Sequence, residues 1–174
     1  DIAASVSSGK PCFLERGIPE EFAKHDPGKV LFFSSEDSPE YTLKSRLIKA
    51  GANLANIFSI GLKDDRFSEI KFNSELLEQL IEHHKPELVI FDPIQSFVPP
   101  DIQMGQRNAM RACLNPLIGL GEKYGATFLV IVHANKQSGV YGRKRIADSA
   151  DIWDIARSVM MIGNTAEQGV RYIS

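Results

Sequence analysis

The sequence has few cysteines, little net charge and no long apolar run. Cys12 and Cys113 form no C-x-x-C pair, which argues against a disulfide scaffold or a zinc site and favours a reducing cytoplasm. The formal net charge is −2, so the whole chain does not carry the charge typical of a nucleic-acid-binding protein, and any such surface must be local. No apolar run approaches the roughly 20 residues that span a bilayer, and we expect no signal peptide.

A phosphate-binding loop of the form G-x-x-x-x-G-K-[ST] is also missing. Residues 7–11 (SSGKP) come nearest, but they lack the first glycine, have Pro11 in place of Ser/Thr and follow a helix rather than a strand. The chain opens on a helical pattern without an N-cap, residues 1–8, which Gly9 should end. It closes on VRYIS, a strand pattern that is still running. We therefore expect the natural chain to continue on both sides.

What is present is a globular composition, with 43% hydrophobic and 24% charged residues, and a length that favours one domain. Residues 87–97 read ELVIFDPIQSF, in which four consecutive apolar residues precede Asp92 and Pro93. Such a run is typical of a strand buried on both faces of a parallel sheet. A carboxylate at the carboxyl edge of such a sheet lies where ligands bind.

Two further buried strands end in polar residues. Residues 30–33 (VLFF) lead to Glu36, and residues 127–132 (TFLVIV) lead to His133. Because the carboxyl ends of parallel strands meet at one edge, we expect Glu36, Asp92 and His133 to form a row. Each side chain alone could simply cap a loop. Together they suit nucleoside triphosphate hydrolysis, with Glu36 as base, Asp92 as ligand of Mg²⁺ and His133 as a sensor near the γ-phosphate.

The intervening segments predict helices and loops. Ser38 and Pro39 should begin a helix that carries Arg46, and Ser74 should cap another at residues 75–84. The other expected elements are a strand at 57–60, a solvated loop at 63–71, a helix at 108–124 that Pro116 must kink or divide, and a strand at 158–162.

These pieces, in this order, resemble the RecA-like ATPase core of the AAA_25 kind, related to the plasmid RepA-type hexameric replicative helicases. The matching segments run nearly the whole chain: DIAASVSSGKP, FFSSEDSPEYTLKSRL, LVIFDPIQSF, NAMRACLNPLIGL, LVIVHANK and DSADIWDIARSVMMIG. The resemblance implies a three-layer α/β sandwich with a mostly parallel sheet, and residues 1–174 as one partial domain. The P-loop unit and the last strands of that fold are not among these residues.

The resemblance also implies roles for individual residues. Glu36 would be the catalytic glutamate, Asp92 the Walker B aspartate that holds Mg²⁺ beside ATP, and His133 the polar sensor. Arg46 would lie in the nucleotide site, although a plain surface arginine is the alternative. Arg157 would be a finger lent to the neighbouring subunit, although an ion-paired helix end is the alternative.

In such rings the loops after Asp92 and His133 face a central channel. The loop at 137–146 is basic and suits contacts with the phosphate backbone, and Tyr141 suits stacking on a base, although a solvated loop is the alternative. The expected DNA-contacting residues are Lys136, Tyr141, Arg143, Lys144 and Arg145. The implied partners are single-stranded or forked DNA and further copies of the chain in a hexameric ring.

The sequence thus predicts the motor domain of a cytoplasmic DNA helicase. Three alternatives stay open: a recombinase-like or regulatory ATPase without unwinding, a catalytically dead scaffold, and an unrelated doubly wound enzyme with another ligand. Because the 174 residues contain no Walker A loop, they should bind nucleotide poorly by themselves.

Overall fold

A computed structural model of the chain describes residues 1–15, 17–102, 107–134 and 150–174. The strands are β1 Val30–Ser34, β2 Ile57–Gly61, β3 Leu88–Asp92, β4 Thr127–Val130, β5 Ile162–Asn164 and β6 Arg171–Ile173. The α-helices are α1 Ile2–Ser8, α2 Glu20–Ala23, α3 Lys44–Lys49, α4 Glu75–His84, α5 Arg107–Tyr124 and α6 Ala150–Ile155.

The central sheet has the strand order β2-β1-β3-β4, and all its strands are parallel. Ser34 pairs with Asp92 across β1 and β3, and Phe91 pairs with Val130 across β3 and β4. The carboxyl ends of these three strands therefore lie along one edge. The predicted α/β fold, a RecA-like sandwich with a parallel sheet, is confirmed.

Helices cover the sheet on both faces. Consecutive residues of a strand point to opposite sides, so each face of the sheet has its own apolar side chains to bury. On one face Val30, Phe32, Leu88 and Ile90 pack with residues of α1 and of the segment that contains α3. On the other face lies the larger core, in which Leu31, Phe33, Val89 and Phe91 pack with residues of α4, α5 and α6. The sheet is thus the middle of three layers, which explains why its central strands, β1 and β3, are apolar without alternation.

Two helix ends follow the sequence closely. Gly9 ends α1 with φ of 70°, in the left-handed region that favours glycine. The Ser74 hydroxyl accepts a hydrogen bond from the backbone N–H of Leu77 at 3.3 Å, and so caps α4 as predicted.

Ser38 does not act in the same way. It occupies the N-cap position before a π-helical turn, Pro39–Leu43, but its Oγ is buried with no hydrogen-bond partner among the described residues.

Two local expectations were wrong, and a third was narrowed. The segment 63–71 is not simply solvated, because it contains a 3-10 turn, Phe67–Glu69, and because Phe67 and Ile70 are buried. At Pro116 a kink or a division of the helix was expected, and the division is excluded because α5 continues through this residue. The strand expected at 158–162 begins only at Ile162, where it pairs antiparallel with β6 in a hairpin. Short apolar runs such as SVMMI do not by themselves fix where a strand begins.

Within the described part of the chain, no helix combines the length and apolar character needed to cross a membrane.

Candidate active site at the carboxyl edge

The carboxyl edge of the sheet places three predicted residues on neighbouring segments. Asp92 is the last residue of β3, Glu36 follows β1 by two residues, and His133 follows β4 by three. Because Ser34 is in register with Asp92, the Glu36 segment begins beside the end of β3.

Glu36 and His133 are in direct contact. His133 Nε2 lies 2.8 Å from Glu36 Oε1, although the two residues are 97 positions apart in the sequence. Both side chains are about half exposed, at 54% for Glu36 and 55% for His133. When Nε2 carries the ring proton, it donates to Oε1 and leaves Oε2 free to accept a proton from a water molecule.

Asp92 is half-buried, and its carboxylate has no hydrogen-bond partner in the described part of the chain. Burial raises the pKa of Asp92, and the nearby carboxylates of Glu36 and Asp37 raise this pKa further. The nearby imidazole of His133 and the guanidinium of Arg46 act in the opposite direction and lower the pKa of Asp92. Negative charge is therefore concentrated at this end of β3, which is an environment that favours a bound cation.

The donor set fits Mg²⁺ bound together with a phosphate rather than a metal enclosed by protein. No group of three or more His, Cys, Asp or Glu side chains among the described residues is arranged to hold a metal. Mg²⁺ keeps several waters and is commonly bound through one or two carboxylates plus substrate phosphates. Asp92, whose carboxylate accepts no hydrogen bond from the residues that the structure describes, suits that single-carboxylate role.

Arg46 also lies at this edge, and its ionic partner is a residue that the sequence analysis did not single out. Its guanidinium Nη1 donates to Asp37 Oδ2. The backbone N–H of Asp37 in turn donates to Ser34 Oγ at 3.1 Å, which holds Asp37 against the end of β1. The signal was present in the sequence, since Asp37 directly follows Glu36, but adjacent carboxylates are common in loops.

A comparison with protein families identifies the chain more closely. The profile of the AAA domain family, AAA_25, matches residues 1–139, which is well over half of the chain. The chain belongs to the AAA domain family. Membership of this family points to nucleoside triphosphate chemistry, and the matched region contains Glu36, Asp92 and His133. No curated protein matches the chain significantly.

The structure says less about the other residues predicted to act in this AAA domain. Arg157 follows α6 by two residues, is exposed and forms no ion pair with any described residue. The DNA-contacting residues expected in the basic loop lie outside the described residues, namely Lys136, Tyr141, Arg143, Lys144 and Arg145.

Among the described residues, the site of the AAA domain is an exposed edge, since Glu36 and His133 are exposed and Asp92 is half-buried. Two grooves lie beside β2, one against α4 and one against the Pro39–Leu43 turn, and neither is lined by Asp92 or His133. The contact between the Glu36 carboxylate and the His133 imidazole lies at the carboxyl edge and not in these grooves, although the groove against α4 is itself lined by titratable side chains such as Asp64 and His83.

Proposed function

We propose that this AAA domain hydrolyses ATP, with Glu36 as the general base. The observation that carries the proposal is the contact of Glu36 with His133 beside the half-buried Asp92. In this arrangement His133 fixes one carboxylate oxygen of Glu36, and the other oxygen would orient and deprotonate the attacking water. General-base catalysis of this kind contributes about 10²–10⁴-fold to a rate.

Asp92 would hold Mg²⁺, directly or through a water molecule. The ion, when bound, would neutralise charge on the phosphates. The chain's own contribution is a carboxylate at the end of β3 that accepts no hydrogen bond from any described residue. The 174 residues contain no glycine-rich loop to bind the phosphates, so the proposal concerns the intact protein.

We further propose that the protein acts on DNA as a ring-forming helicase. The support is the resemblance described above together with the position of Arg157, which is exposed and has no ionic partner among the described residues. Such an arginine is available to an adjacent subunit, and a finger supplied in trans is worth about 10³–10⁵ in rate. Arg46 would contribute positive charge to the nucleotide site from within the same subunit.

The proposal is tested by measuring ATP hydrolysis by the intact protein with and without Mg²⁺ and single-stranded DNA, followed by strand displacement on a forked duplex. We expect Mg²⁺-dependent turnover that DNA stimulates, with stimulation that declines as salt rises because phosphate contacts release counterions. Turnover without strand displacement would support the proposed ATPase activity and contradict the proposed helicase activity. Absence of turnover under all these conditions would contradict the proposed function.

A further inference from the structure

The short turn that follows Asp92 links the segments that carry all three site residues. The ladder between β1 and β3 ends at Ser34 and Asp92, yet the backbone N–H of Ser35 still donates to the carbonyl oxygen of Asp92 at 3.0 Å. On the other side, the N–H of Ile94 donates to the carbonyl oxygen of Ile131 at 2.9 Å, two residues before His133.

Ser96 adds a side-chain link to this turn. Ser96 Oγ lies 2.6 Å from Ser35 Oγ, and Ser35 directly precedes Glu36. The carbonyl oxygen of Ser96 accepts a hydrogen bond from Lys71 Nζ at 2.7 Å. Ser96 is thus held from two sides, by a hydroxyl from the end of β1 and by an ammonium group from the segment before α4.

The turn itself is anchored in the core. Ile94 and Phe97, which lie on either side of Gln95 and Ser96, are fully buried. The Phe97 ring centroid lies 4.9 Å from that of Phe91 and 5.5 Å from that of Phe67, in edge-on contacts. Close-packed interiors transmit displacement rather than absorb it, so Ser96 is a rigid support for whatever it contacts.

We infer that Ser96 is a positioning residue that acts through the Ser35 hydroxyl to fix Glu36 relative to Asp92. The inference deepens the proposed ATP hydrolysis and rests on it. A base and a metal-binding carboxylate on separate loops must keep their spacing closely, because a displacement of about 1 Å can cost about 10²-fold in rate. The Ser35–Ser96 bond is the side-chain contact that spans the two loops at this point.

The test compares Ser96→Ala with Ser96→Thr and Ser35→Ala in the intact protein. We expect Ser96→Ala and Ser35→Ala to lower kcat for ATP by about 10- to 100-fold with little change in KM, and Ser96→Thr, which keeps a hydroxyl, to restore most of it. The double variant should have about the same kcat as either single variant, because the two substitutions remove the same hydrogen bond. Ser8→Ala is the matched control, since Ser8 is also half-buried but its hydroxyl bonds only within α1, to Ala4 O at 2.7 Å.

A readout independent of activity is hydrogen exchange at the backbone amide of Ser35. Exchange should be faster in Ser96→Ala than in the wild type and unchanged in Ser8→Ala. A wild-type protein without turnover would refute the proposed function, whereas normal kcat in Ser96→Ala in a protein that does turn over would refute only this inference. Additive losses in the double variant would also overturn it, because they would mean that Ser96 does not act through Ser35.

Discussion

Replacing Asp92 with Asn should stabilise the fold while it removes Mg²⁺-dependent turnover. The carboxylate is half-buried and close to Glu36 and Asp37, and it has no hydrogen bond within the described part of the chain. Asn has nearly the same shape but no charge, so the substitution removes the desolvation and the repulsion that raise the pKa of Asp92. Charge interactions at partly exposed sites are worth up to about 1 kcal/mol, and we expect a gain in the free energy of unfolding of that order at pH 7.

The gain must depend on pH in a defined direction. Because the pKa of Asp92 is raised in the folded state, the folded protein binds this proton more readily than the unfolded chain. The contribution of Asp92 to the free energy of unfolding therefore falls as pH rises from about 3.9, the ordinary value for Asp, through its raised pKa in the folded state. The advantage of Asp92→Asn should be absent at low pH, grow across this window and stay constant above it.

The assay is denaturant unfolding of the wild type and Asp92→Asn between pH 3.5 and 8. A gain of about 1 kcal/mol corresponds to about 2–4 °C in Tm for a domain of this size. Asp65→Asn is the control, because Asp65 is exposed and has no ionic partner among the described residues; it should change stability by less than about 0.5 kcal/mol. A less stable Asp92→Asn at pH 7 would refute the reasoning, because it would show that the carboxylate makes a favourable contact in the fold.

Three further outcomes follow from the structure. Arg157→Ala should lose ATP turnover, and subunits that carry Glu36→Gln but an intact Arg157 should restore it in mixed assemblies; no restoration would contradict a finger supplied in trans. Cys113 is buried and its pKa is raised by burial to about 11, so a thiol reagent should modify Cys12 in the native protein and Cys113 only after unfolding. Phe97→Ala should cost about 3–5 kcal/mol of unfolding free energy, whereas Phe22→Ala, at a side chain that is 72% exposed, should leave the denaturant midpoint nearly unchanged.

The strands of the sheet were predictable because the signal for each one lies in residues that are adjacent in the sequence. Unbroken apolar runs such as VLFF and LVIF are typical of strands covered on both faces, and a polar residue soon after such a run marks the carboxyl edge. The row of Glu36, Asp92 and His133 followed from that rule alone. The strand order and the 2.8 Å contact between Glu36 and His133 needed the structure, because neither depends on residues near in sequence.

The supporting contacts were not predictable for the same reason. Ser35 and Ser96 are 61 positions apart, and isolated serines in loops carry no pattern that indicates a partner. Asp37 was visible beside Glu36, but its pairing with Arg46 depends on how α3 packs against the end of β1. The burial of Phe67 and Ile70 was hidden by the charged residues around them, such as Asp65 and Arg66.

The most direct test of the central assignment is ATP turnover and ATP binding by Glu36→Gln in the intact protein. Gln keeps the size of Glu and can still accept a hydrogen bond from His133, but it cannot take a proton from water. We expect ATP to bind with nearly wild-type affinity and turnover to fall by about 10²–10⁴-fold, while Glu40→Gln, at an exposed glutamate on the next turn, keeps wild-type turnover. Normal turnover in Glu36→Gln would contradict the assignment of Glu36 as the base.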